Sequence, residues 1–153
     1  MSNGANPNIS EVGERRDGNT TRLTPLQKAS SCCLNKVKLL VEAGANIDQV
    51  NEFNGGALSS VLYGSCEEQT KILRYLVIEK GADINLPILE IQGGKKLYIE
   101  NGLRYWRFPI GSNDHKVKME IVDYLKERGR DYHKAKIPNK YYSRYDEEYL
   151  SKY

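Results

Sequence analysis

The chain has 153 residues, 39% of them apolar and 28% charged, a composition that excludes a disordered or collagen-like chain and predicts one domain or one short repeat array. Its 23 basic and 20 acidic residues leave a net charge of +3, too balanced to imply a polyanionic partner by itself. No apolar run approaches the ~18 residues that a bilayer-spanning helix needs, so no membrane segment is expected.

The opening stretch, Met1 to Pro7, lacks the basic-then-apolar layout of a signal peptide, so secretion is not expected. Within it, Gly4-Ala5-Asn6-Pro7-Asn8 reads as the tail of a repeat whose helices are absent. Thr24-Pro25-Leu26-Gln27-Lys28-Ala29 follows, with a threonine suited to cap a helix and a proline at its first position. An amphipathic stretch with Val37 and Leu40 on one face then runs to Gly44-Ala45-Asn46-Ile47-Asp48, where the glycine supplies the left-handed conformation that stops a helix.

The phrase recurs. Gly56-Ala57-Leu58-Ser59 starts a second unit, Leu73 and Val77 carry its apolar face, and Gly81-Ala82-Asp83-Ile84-Asn85 ends it. A third unit is predicted from Phe108-Pro109-Ile110-Gly111 through Ile121, Val122 and Leu125 to Gly129-Arg130-Asp131-Tyr132. The unit is therefore a helix pair, a glycine stop and an extended turn.

These residues resemble the ankyrin repeat, whose unit reads Thr-Pro-Leu-His-x-Ala, a second helix, then Gly-Ala-Asp-x-Asn. Thr24, Pro25, Leu26, Ala29, Gly44, Ala45 and Asn46 match in order. The family's histidine is replaced by Gln27, Ser59 and Gly111. The resemblance implies a mainly α fold, an ankyrin-like α-solenoid of about three repeats. It divides the chain into a repeat tail and turn at 4–22, repeats at 23–51, 52–87 and 108–132, and a C-terminal cap at 133–153.

The repeat glycines stand 37 and then 48 residues apart, against ~33 for a standard unit, so about 15 extra residues lie before the third repeat. Residues 88–107 read as a β-meander inserted there. Gly93-Gly94 permits one tight turn, and Asn101-Gly102 between β-rich runs predicts a second hairpin. That hairpin pairs Tyr98 with Tyr105 and Lys96 with Arg107, placing Leu97, Ile99 and Trp106 on the opposite face. The resemblance implies that turns of this kind project as fingers that grip proteins. Tyrosine and arginine are enriched at interface hot spots. The partner site is accordingly predicted at Lys96, Tyr98, Tyr105 and Arg107, extended to the preceding finger at Glu52, Phe53 and Asn54.

Eleven tyrosines against two phenylalanines is an unusual ratio, and seven of them fall between Tyr124 and Tyr153. From Tyr141 onward a short helix is expected to close the open end of the solenoid. The same segment carries the alternative function: Lys134, Lys136, Lys140 and Arg144 alternate with Tyr132, Tyr141, Tyr142 and Tyr145, a pattern suited to nucleic acid. Asp146, Glu147 and Glu148 follow at once and break the basic stripe.

Catalytic chemistry has little to stand on. His115 and His133 sit in lysine-rich contexts, and no phosphate loop or metalloprotease motif occurs. The three cysteines, Cys32, Cys33 and Cys66, match neither a disulfide framework nor a zinc spacing, and the adjacent pair is read as helix packing. The expectation is a non-catalytic, intracellular, cytoplasmic and monomeric protein that binds another protein, as an inhibitor, immunity-type or effector protein, and takes no metal or cofactor.

Overall fold

The computed structural model describes residues 4–14, 20–52 and 55–152. The fold is mainly helical, with two small antiparallel sheets among the described residues. Strand β1 (Glu11–Glu14) pairs with β2 (Thr20–Leu23), in register Glu11 to Leu23. This pair precedes α1 and was not expected from the sequence.

Helices α1 (Pro25–Ser30) and α2 (Leu34–Glu42) follow, then α3 (Ala57–Leu62) and α4 (Gln69–Arg74). Helix α4 runs on into a π-helical turn at Tyr75–Glu79. Helix α5 spans Ile99–Leu103, and α6 spans Asn113–Glu127. Two rows result. In one, α1 packs on α3 and α3 on α5; in the other, α2 packs on α4 and α4 on α6. Leu26, Val37, Val61, Leu73, Leu76, Ile99 and Leu125 belong to one buried core cluster to which both rows contribute.

The starts of the three first-row helices share one device. Thr24, Gly56 and Tyr98 occupy the N-cap, and each backbone N–H is taken by the side chain three residues on. The acceptors are Gln27 Oε1 at 2.9 Å, Ser59 Oγ at 3.0 Å and Asn101 Oδ1 at 2.8 Å. Gln27 also donates through Nε2 to the Gln49 carbonyl at 2.9 Å, tying its helix to the following turn.

The helix stops are equally regular. Gly44, Gly81 and Gly129 all have positive φ, the conformation the sequence assigned to them. Asn6, Asn46, Asp83 and Asp131 each accept the N–H of the residue two positions on, folding four copies of one turn. Asn8 Oδ1 accepts from Asn46 N at 2.6 Å, and Asp48 Oδ1 from Asp83 N at 2.9 Å, so consecutive turns are bonded side by side.

The insertion forms differently from the predicted meander. Gly93-Gly94 does turn a hairpin, with φ of 86° and 75°, joining β3 (Leu89–Ile91) to β4 (Lys95–Leu97). The Asn101-Gly102 hairpin does not form, because both residues lie inside α5. Asn101 serves as the capping acceptor. Gly102 permits close packing, since a Cβ there would stand 2.9 Å from Leu62 Cδ1 and 3.0 Å from Ile88 Cδ1. The expected pairing of Tyr98 with Tyr105 is therefore replaced by a helix between them, and Lys96 faces Glu90 rather than Arg107. The first-row helix of the third pair is α5, not the Phe108-Pro109 segment, which belongs to the connection into α6.

After α6 come a 3-10 turn (Tyr132–Lys134), α7 (Asn139–Tyr142) and α8 (Glu147–Ser151).

Candidate functional site

The residues that the sequence singled out part company in the structure. Arg107 is enclosed by the C-terminal segment. Its guanidinium lies 3.3 Å from the Tyr145 ring centroid and 4.8 Å from that of Tyr141, and Nη2 donates to the Tyr149 hydroxyl at 3.1 Å. Tyr98 is half-buried beneath Arg130, whose guanidinium sits 4.4 Å over its ring while holding Glu100 through two hydrogen bonds of 2.9 and 2.6 Å. Lys96 is exposed on the far face of the hairpin, and Glu52 is exposed on its turn. Phe53 and Asn54 lie outside the described residues.

Tyr105 remains available, at 46% exposure. The structure gives it a neighbour that the sequence reading missed. Ser31, Tyr63 and Tyr105 each stand seven residues after an N-cap, so they fall in line at the ends of successive first-row helices. Tyr63 is likewise 46% exposed. Burial, and then the Tyr105 phenol, push the Tyr63 hydroxyl above the usual tyrosine range. The two rings flank an open groove of about 530 Å³ whose wall includes Trp106 and Phe108. Trp106 is fixed by a hydrogen bond from Nε1 to the Leu62 carbonyl at 3.1 Å. Counting seven from each cap would have found Tyr63, once Tyr98 was seen as a cap.

On its other side Tyr105 borders a second groove, between the β3–β4 hairpin and residues 136–140. The Tyr141 hydroxyl donates to the Tyr105 carbonyl at 3.0 Å, and the Lys140 ammonium lies 5.3 Å over the Tyr105 ring.

Beneath this surface lies a buried group of cations. Lys118 is 1% exposed and donates to the Trp106 carbonyl at 2.9 Å. Burial, followed by the charges of Arg104 and Arg107, lowers its ammonium to about 7. Arg104 stacks 4.0 Å over the Tyr132 ring and donates through Nε to the Ala135 carbonyl at 3.1 Å. Burial pushes the Tyr132 phenol up to about 12. The signal for Lys118 was present in the sequence, because it shares one helix stripe with Ile121, Val122 and Leu125.

Cys32 is exposed rather than packed between helices, and Cys33 is the half-buried N-cap of α2. A hydrogen bond with the Cys66 thiol, above all, raises the Cys32 thiol, which makes it a poor nucleophile. Among the described residues no three His, Cys, Asp or Glu side chains are grouped to hold a metal ion. No described helix is long and apolar enough to cross a membrane.

Compared with known proteins, the chain matches no family model and no curated protein sequence.

Proposed function

We propose that the chain is a short, irregular ankyrin-type module that acts without catalysis, by binding another protein inside the cell. Support for the repeat reading comes from the two stacked helix rows, the three shared caps and the bonded turns. The observation that carries the binding reading is the pair Tyr63 and Tyr105, half-exposed rings at equivalent places in consecutive units. Neither ring has a folding reason to stay in water, and both suit a contact surface.

The site is thereby shifted from the predicted set. Tyr105 is kept, Tyr63 takes the role given to Tyr98, and Arg107 becomes a strut for the C-terminal segment. The nucleic-acid alternative has less support, because Tyr132 and Tyr141 are buried and Tyr145 stacks on Arg107.

The test is affinity capture of the partner from source cells, followed by titration of the purified pair. Tyr63→Ala with Tyr105→Ala should weaken that complex by more than about 2 kcal/mol, the hot-spot range. Unchanged affinity in a folded double variant would refute the site.

A further inference from the structure

The groove beside Tyr105 has a composition of its own. Its volume is about 440 Å³, within the roughly 300–1,000 Å³ of clefts that enclose a ligand. Leu97, Ile137, Pro138 and the Tyr105 ring provide an apolar floor, and Ile91 stands at its edge 41% exposed. Alternation along the hairpin explains this face. Ile91 pairs with Lys95 and Leu89 with Leu97, so these side chains point to one side while Glu90 and Lys96 point to the other.

Charge is one-signed here. Lys95, Lys136 and Lys140 line the groove, all three are exposed, and among the described residues no Asp or Glu lines it. A chain with nearly equal numbers of acids and bases has thus gathered three ammonium groups around an aliphatic cleft. Lys140 has the Tyr105 ring 5.3 Å away, but three like charges around one apolar cleft still repel one another. An occupant carrying negative charge removes that repulsion.

We infer that this groove binds an acidic peptide segment of a partner protein, with one apolar side chain seated between Ile91, Leu97 and Ile137 and flanking carboxylates on Lys95, Lys136 and Lys140. The inference rests on the protein-binding reading and specifies its partner. Single-stranded nucleic acid is the less fitting polyanion. It binds through successive stacked bases, whereas among the described residues Tyr105 is the one ring lining this groove. Lysine ammonium groups, spaced around the cleft, each suit a single carboxylate.

The test uses the full chain and three labelled probes: a short Glu- and Asp-rich peptide with a central leucine, the same peptide with lysine for each acid, and an oligothymidylate of equal length. Fluorescence anisotropy should show the acidic peptide bound most tightly, with affinity falling as salt rises from about 50 to 200 mM. The variant Lys95→Glu with Lys140→Glu should weaken it by at least about tenfold, while Lys71→Glu with Lys126→Glu, the same charge change at exposed positions outside this groove, should leave it nearly unchanged. In the wild-type protein the methyl resonances of Ile91, Leu97 and Ile137 should shift on titration. Failure of the acidic peptide to bind, indifference to the charge reversal, or tighter binding of the oligonucleotide would overturn the inference. The protein-binding reading fails separately, when the wild-type chain captures no protein from source cells; a complex that survives Tyr63→Ala with Tyr105→Ala refutes only that site.

Discussion

Asp48 and Asp83, 35 residues apart, are joined by a hydrogen bond of 2.9 Å from the Asp83 backbone N–H to Asp48 Oδ1. One turn earlier, Asn8 stands to Asn46 in the same relation at 2.6 Å. Repetition of one short polar turn thus does structural work twice. The first Asx residue folds its own turn, and the second receives the next turn along the chain.

Asp48→Ala should therefore loosen the join between the second and third turns. Asp48 is exposed, so the loss is that of one screened hydrogen bond, about 1 kcal/mol. Asp48→Asn keeps the acceptor and should recover most of it. Urea melts of the two variants check the order: a loss for Asp48→Asn as large as for Asp48→Ala would mean that charge, not the acceptor, matters.

Leu76 tests the packing between units. It is 0% exposed within the core that joins the helix rows. Leu76→Ala should cost about 2–5 kcal/mol, with the transition staying cooperative, because both helix rows share the core that it occupies. Leu39, 65% exposed on α2, is the control, and Leu39→Ala should change the melt by less than about 0.5 kcal/mol.

Gly102 should resist even a methyl group. Its added Cβ would meet Leu62 at 2.9 Å and Ile88 at 3.0 Å, so Gly102→Ala should cost about 1–3 kcal/mol through overpacking of α5 against α3. Gly93 and Gly94, with nothing within 4 Å but positive φ, should tolerate asparagine far better than valine. Thermal melts of Gly102→Ala and Gly93→Asn compare the two mechanisms directly. A Gly102→Ala variant as stable as wild type would remove close approach as the reason for that glycine.

The same residue marks where the sequence was misleading. Asn-Gly between β-rich runs is a strong local hairpin signal, and locally nothing contradicts it. The deciding facts are non-local: Leu62 and Ile88 leave no room for a side chain at 102, and Asn101 supplies the acceptor that Gln27 and Ser59 supply elsewhere. By contrast, Thr24, Gly44, Gly81 and Gly129 were legible because caps and helix stops depend on a few adjacent residues. The candidate site was harder still. Tyr105 was visible as a tyrosine, but Arg107 is claimed by tyrosines about 40 residues away, which spacing along the chain does not reveal.

Lys118 makes stability depend on pH in a direction that can be worked out. Its ammonium is lowered to about 7 in the folded chain, from 10.5, chiefly by burial and then by Arg104 and Arg107. Between those values the unfolded chain holds the proton and the folded chain does not, so stability rises with pH. The slope should approach about 1.4 kcal/mol per pH unit, that of one proton, and flatten below about pH 7 where both states are charged. Tyr132 acts the other way only above about pH 10. Its folded phenol titrates at about 12, so the stability it contributes is complete below the usual tyrosine value and is lost toward 12. Lys118→Met should abolish the rise between about pH 7 and 9.5. It should also make the protein more stable than wild type near about pH 6, where relief of a buried charge outweighs the donor lost to the Trp106 carbonyl. At about pH 9.5 the neutral lysine already donates that bond, so the variant should have no advantage there. Urea melts at the two pH values decide the matter, and parallel pH profiles for wild type and Lys118→Met would show that another group carries the dependence.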